Sequence, residues 1–189
     1  MSDQNSVNEL TNQAKKFLGV VDLLINNAGI MDDFIPAHAV TNEEWNKVLG
    51  VNLNGPFYLT RSILPLMVER KKGSIINVSS VAGLDGGKAG LSYTVSKHAL
   101  IGLTRQVAYC YAEKGIRCNA IAPGPVSAGI GATMKPDAFG YGRFEKGSGT
   151  IIRSAEPSEI AWVATFLASD DASFVNGAVI VADGGWTVY

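Results

Sequence analysis

Two side chains of complementary chemistry stand four residues apart in the segment Tyr93-Thr-Val-Ser-Lys97. On a helix, residues i and i+4 lie on one face, so a phenol and an ammonium would share a site. A free phenol ionises near pH ~10, too high for proton transfer at neutrality, and a cation within hydrogen-bonding range lowers that value by roughly 1 to 3 units. The pair therefore predicts a tyrosine that serves as general acid and base, with Lys97 lowering its pKa. Alone the spacing is a weak signal, because unrelated helices place a surface lysine beside a packing tyrosine.

Other polar residues fall where such a site would need them. Ser80 follows the apolar run Ser74–Val78, at the carboxyl end of a predicted strand, where open α/β sheets collect their functional groups. Asn52 lies in Val51-Asn52-Leu53, and Asn26, Asn27, Ala28 and Gly29 follow the run Asp22–Asn26. Each has an ordinary explanation as a turn or helix-end residue.

The elements that must hold these residues alternate short apolar runs with longer amphipathic stretches, the pattern of an α/β domain with a parallel sheet. Ser6 with Glu9 forms a capping box for a first helix that Gly19 closes. Asp22–Asn26 reads as a fully buried strand. Thr41 with Glu44 caps a helix running to about Leu53, and Pro56 to Lys71 is helical with Pro65 inside it. Ser74–Val78 is the second strand, Tyr93–Lys114 a helix, Ile116–Ile121 the third strand, Pro157 to about Ala168 a helix, and Ala178–Val181 the fourth strand. Residues 127–150, rich in glycine, read as a loop.

The 189 residues are 47% hydrophobic and 17% charged with net charge -1, which predicts one compact domain and gives no electrostatic basis for nucleic acid or anionic membrane as partner. No stretch approaches the ~18 apolar residues of a membrane span, and the opening ten residues lack a signal-peptide pattern, which predicts a cytoplasmic protein. Cys110 and Cys118 read as free buried thiols, and His38 and His98 lack metal-ligand spacing, so no metal is expected.

Taken together, Asn26-Asn27-Ala28-Gly29 after a strand, Asn52, Ser80 thirteen residues before Tyr93, Lys97, Pro123-Gly124 after the next strand and the ending Gly177–Gly185 resemble the short-chain dehydrogenase/reductase family in order and spacing, from about Asp3 to Trp186. The resemblance implies a Rossmann-like doubly wound parallel sheet and an oxidoreductase that uses NAD or NADP to interconvert a small-molecule carbonyl and alcohol. It implies that Tyr93 exchanges a proton with the substrate oxygen, Lys97 tunes Tyr93 and holds the nicotinamide ribose, Ser80 orients the substrate oxygen, and Asn52 keeps a relay water. Asn26, Ala28 and Gly29 would run along the cofactor, with Pro123, Gly124 and Val126 near its nicotinamide and a missing Cβ at Gly124 admitting the ligand. Where the family often carries a threonine after Val126, this chain has Ala128, with Ser127 adjacent. Residues 127–150 correspond to the substrate loop, whose Met134, Phe139, Tyr141 and Phe144 suit a partly apolar lid. A homo-oligomer, tetramer or dimer, is also implied.

The family's glycine-rich turn, which cradles the cofactor pyrophosphate at a helix N-terminus, has no counterpart here. The resemblance begins inside the family's fold, so the sheet is read as incomplete, with its first strands and that turn missing and one edge of Asp22–Asn26 open. Two functional readings follow: the family's oxidoreductase, or a catalytically silent truncated form acting as a binding or assembly partner.

Overall fold

The computed structural model describes residues 2–188 and shows a four-stranded parallel sheet with strands in sequence order, a Rossmann-like α/β arrangement. Along the chain run α1 (Gln4–Leu18), β1 (Leu23–Asn26), α2 (Asn42–Leu49), α3 (Gly55–Arg70), β2 (Gly73–Val78), α4 (Leu91–Tyr111), β3 (Ile116–Pro123), α5 (Ala138–Gly147), α6 (Pro157–Ala168) and β4 (Val179–Ala182). The four expected strands are present within two residues of their predicted bounds.

Side-chain alternation along β2 sorts the core into two layers. Ile75 faces Ile63, Leu64 and Met67 of α3 and Val107 and Ala108 of α4, with Ile116 and Cys118 of β3 completing that cluster. Ile76 faces the other way and, with Ile121, packs against Leu167 of α6 and Ala172. Both isoleucines are fully buried, which is why the run has no polar alternation: a parallel strand covered on both faces places apolar residues on each, here with Ser74 and Asn77 buried among them.

Four expectations are corrected. Helix α1 is capped by Asp3, whose carboxylate accepts from the Ser6 amide and hydroxyl at 2.8 Å each, so the helix starts before the Ser6–Glu9 box. Strand β1 is not fully buried. Leu24 packs into the α3 and α4 layer, but Leu23 and Ile25 point to the opposite face and remain 38% and 43% exposed, because α6 covers β2 and β3 and stops short of β1. Helices α2 and α3 are joined through a π-helical turn over Gly50–Asn54 instead of being separated near Leu53. Cys110 is exposed and only Cys118 is buried.

The loop after β3 also holds a helix that its glycines obscured. Asp137 caps α5 by accepting from the Phe139 and Gly140 amides at 2.9 Å. Gly140 lies against the Phe34 carbonyl so closely that an added Cβ would collide with it. The glycine that weakens α5 as a helix is therefore what lets it dock.

The two layers predict unequal costs for truncating neighbouring strands. Ile75→Ala should destabilise by about 2 to 5 kcal/mol, since it opens a cavity in a closed layer, whereas Ile25→Ala should cost less than about 1 kcal/mol. Urea unfolding of both variants checks this; equal losses would mean that the open face of β1 is covered in solution.

Candidate active site

The site is built where β1 and β2 end. Beyond Val78 the chain stays extended, and the Ser79 hydroxyl donates to the Lys97 carbonyl at 3.0 Å. Ser80 is extended as well, and its Oγ accepts from the Ala82 amide at 3.1 Å, starting a short 3-10 turn over Val81–Gly83. That turn presses on α4: a Cβ at Gly83 would sit 2.8 Å from the Lys97 carbonyl oxygen. The strand end carrying Ser80 is thus fastened to the helix at Lys97.

Helix α4 turns a polar stripe toward this strand end. Ser92, Tyr93, Ser96, Lys97 and Thr104 are all buried. The Lys97 ammonium donates to the Val78 carbonyl at 2.9 Å and stands 5.4 Å from the centroid of the Tyr93 ring. Asn52, fully buried in the π-helical turn, accepts from the Ile30 amide at 2.8 Å and donates to the Ile30 carbonyl at 2.9 Å and to Ser96 Oγ at 3.2 Å. This clamps the segment after β1 onto α4. Gly29 is caught between: a Cβ there would lie 3.4 Å from Asn52 Oδ1 and 3.5 Å from Lys97 Nζ. Asn52, Ser80, Tyr93, Lys97 and Gly29 therefore lie together at this strand end, and the π turn that carries Asn52 is a distortion of the kind found at functional sites.

Burial sets the electrostatics, and here the expected lowering of the phenol is overturned. Desolvation pushes the Tyr93 phenol up to about 12; a hydrogen bond from the Ser80 side chain eases its ionisation, and the Asp32 carboxylate opposes it. Desolvation likewise draws the Lys97 ammonium down to about 8. Low dielectric penalises the charged form of each group, and the lysine commits a donor to Val78 instead of bonding the phenol.

The remaining predicted residues divide. Asn26 is a cross-strand residue: its Nδ2 donates to Asn77 Oδ1 at 2.7 Å and to Thr60 Oγ1 at 3.4 Å, while its buried Oδ1 has no partner. Asn27 and Ala28 are exposed beyond the strand. Pro123 ends β3, and Gly124 lies against Asp183, where a Cβ would sit 2.8 to 2.9 Å from the Cβ and Cα of that residue. Val126 forms a parallel bridge with Ala155, flanked by Ser127 amide to Ala155 carbonyl (2.9 Å) and Ala155 amide to Pro125 carbonyl (2.8 Å). Ser127 and Ala128 are themselves exposed.

Residues that the sequence reading passed over complete the surroundings. Phe34, buried with φ of 57°, stacks with Tyr141 at 5.2 Å and Phe144 at 5.0 Å, so α5 folds down on the segment after β1. Phe144 also meets Trp186 at 6.4 Å, and Lys88 lies over the Trp186 ring at 4.2 Å. Asp33 holds the residues ahead of α5, accepting from the Lys135 amide through its side chain and from the Asp137 amide through its carbonyl. Tyr141 and Phe144 stood out in the sequence as aromatic residues of the segment 127–150, whereas nothing local marked Phe34 as the residue they pack on.

A family profile described as enoyl-(acyl carrier protein) reductase matches residues 1–187. The chain is 41% identical over 191 aligned positions to a 3beta-hydroxysteroid dehydrogenase 2 of Eggerthella lenta, an alignment covering all of this chain and 74% of the relative. Among solved structures, a 4-hydroxyisoleucine dehydrogenase complexed with NADH superposes with TM-score 0.83 at 33% identity, covering 100% of this chain and 78% of the other. A Beutenbergia cavernae structure, assigned as an NAD(P)-dependent gluconate 5-dehydrogenase and holding NADP at low occupancy, gives 0.86 at 34%, covering 100% and 74%. Among the described residues, no cluster could hold a metal ion and no helix is long and apolar enough to cross a membrane.

The buried lysine makes a prediction that needs no turnover. Below about pH 8 the native state holds the Lys97 charge at a cost, and as pH rises from about 8 toward the unfolded value of 10.5 that cost disappears. Lys97→Met should therefore raise stability at pH 7 by up to about 3 kcal/mol, with the advantage shrinking to nothing by about pH 10.5. Chemical denaturation across this range checks the sign; a variant less stable than the parent at pH 7 would mean that Lys97 has a stabilising partner.

Proposed function

The chain belongs to the short-chain dehydrogenase/reductase family of oxidoreductases, and from that premise we propose that it interconverts a carbonyl and an alcohol with NAD or NADP, using Tyr93 as general acid and base. The observation that carries this reading is the convergence of Tyr93, Lys97, Ser80 and Asn52 at the ends of β1 and β2, with Lys97 bonded to the Val78 carbonyl, Asn52 to Ser96, Ser80 to the Ala82 amide and Lys97 beside the Tyr93 ring.

The residues present suit a nicotinamide cofactor. The Lys97 ammonium has three donors and spends one on Val78, leaving two for the vicinal hydroxyls of a ribose. Gly29 beside it carries no Cβ that would cover Nζ. When bound, the cofactor would supply or accept the hydride at the substrate carbon.

The protein's own part is to place and move a proton. In the reducing direction the substrate oxygen gains negative charge, and Tyr93 hands it the phenolic proton. A phenol held up to about 12 is fully protonated at neutral pH and so is loaded for this direction. Ser80 donates its hydroxyl to the same oxygen, orienting the carbonyl and stabilising the developing charge. Asn52 acts at one remove: both N–H bonds of its amide go to Ile30 and Ser96, so it fixes the Gly29 segment over Lys97 rather than directing its amide protons at a water. The aromatic lid of Phe34, Tyr141 and Phe144 excludes bulk water.

Tyr93→Phe should reduce carbonyl turnover by about 10²-fold or more while leaving the Kd for NADH or NADPH within about twofold, because only the transferable proton is lost. Lys97→Ala should weaken cofactor binding and slow turnover together. Isothermal titration with each cofactor and steady-state kinetics on a panel of cyclic ketones check both; a Tyr93→Phe variant keeping more than about a tenth of parental activity would exclude the assignment.

A further inference from the structure

Asp32 is a buried carboxylate, 2% exposed, in the segment after β1. Its Oδ1 accepts from the Gly90 amide at 3.0 Å and the Phe34 amide at 3.3 Å, and its Oδ2 accepts from the Tyr93 amide at 2.9 Å. All three partners are donors, which suits the ionised carboxylate. Burial raises its pKa and these amides pull it back.

Two of those amides begin α4. The residue in the N-cap position of this 21-residue helix is Gly90, which has no side chain to offer its free amides. The cap comes instead from a residue 58 positions earlier. The fit is interlocked, because a Cβ on Gly90 would fall 2.5 Å from both carboxylate oxygens of Asp32. A side chain at position 90 and a carboxylate cap from position 32 are mutually exclusive.

We propose that Asp32 is the positioning residue for Tyr93: its carboxylate fixes the first turn of α4 so that the phenol is presented to the substrate, and its charge opposes ionisation of that phenol. This rests on Tyr93 being the proton donor. Three charged or polar groups face Tyr93: Lys97 on its own helix, Ser80 beyond β2, and Asp32 beyond β1. Around Asp32 stand Asp33 in its own segment and Glu44 on α2, both acidic, with Lys47 facing Glu44. The N-terminal dipole of α4 would by itself favour a phenolate in the first turn, and Asp32 neutralises it. Removing the Asp32 charge therefore acts in one direction, toward easier loss of the phenolic proton.

The test reads the phenol directly. Phenolate absorbance is followed to pH 11 as the difference between each protein and its Tyr93→Phe counterpart, for the parent chain, Asp32→Asn and Gly90→Ala. A midpoint of about 12 leaves Tyr93 about one tenth ionised at pH 11 in the parent. Asp32→Asn should lower the midpoint, so that the ionised share at that pH exceeds the parent's, while its amide oxygen still accepts from one α4 amide. Gly90→Ala, which leaves Asp32 in the chain but forces it out of the cap, should move the midpoint the same way. Asp32→Ala should lose more melting temperature than Asp32→Asn, since it has no acceptor left. An unchanged midpoint in both Asp32→Asn and Gly90→Ala, with melting temperature alone reduced, would overturn the proposal and leave Asp32 a structural cap. The titration answers whether or not the protein turns over a carbonyl, so a failed turnover assay counts against the function and a fixed midpoint against Asp32.

Discussion

The inward stripe of α4 is the constraint that the other parts of the site obey. A helix that buries Ser92, Tyr93, Ser96, Lys97 and Thr104 must find acceptors for them in a low-dielectric interior, and an unmet polar group there costs on the order of 1 to 3 kcal/mol. Lys97 finds the Val78 carbonyl on β2, the Ser96 and Thr104 hydroxyls turn back onto the Tyr93 and Leu100 carbonyls of α4 itself, and the Ser92 hydroxyl is left without a partner among the described residues. Asn77 then ties Thr104 to the sheet through its Nδ2 at 2.8 Å and accepts from Asn26 on the neighbouring strand. A continuous polar seam thus runs from β1 through β2 into the helix. Sliding α4 by a turn would part Lys97 from the Val78 carbonyl and Thr104 from Asn77, so the seam favours one register of helix on sheet.

Charge in this seam is held against its preference. Lys97 has no carboxylate partner, and Tyr93 has no cation in hydrogen-bonding contact, so burial governs both. The lysine is pushed toward neutrality and the phenol toward retaining its proton. The structure resolves the Tyr–Lys pair into two separately desolvated groups, joined by the ring face and not by a bond between their polar ends.

How much of this was legible follows from whether a signal is local. Strands β2 and β3 announced themselves as apolar runs, Thr41 as a cap three residues ahead of Glu44, and Tyr93 with Lys97 as neighbours on a helix face. The direction of the Tyr93 shift was not readable, since i, i+4 spacing reports proximity of two residues and says nothing of how deeply the fold encloses them. The cap of α4 was hidden because its carboxylate lies 58 residues from its glycine. The closeness of Asp183 to Gly124 was hidden for a related reason: an absent side chain makes room, and only the fold reveals which neighbour lies against it. Helix α5 was masked by Gly140 and Gly142, which lower helix propensity, although Asp137 marked its beginning.

The bridge between Val126 and Ala155 has an architectural consequence. It closes the segment from residue 127 to residue 154 at its base, while Asp33 and Phe34 hold the interior of that segment against the domain. Loop-closure entropy grows only slowly with length, so a segment pinned in this way tolerates replacement by another of different size at small thermodynamic penalty. The polar seam between α4 and β2 lies outside that pin, so the length of the segment is structurally independent of the contact that holds Lys97 on Val78.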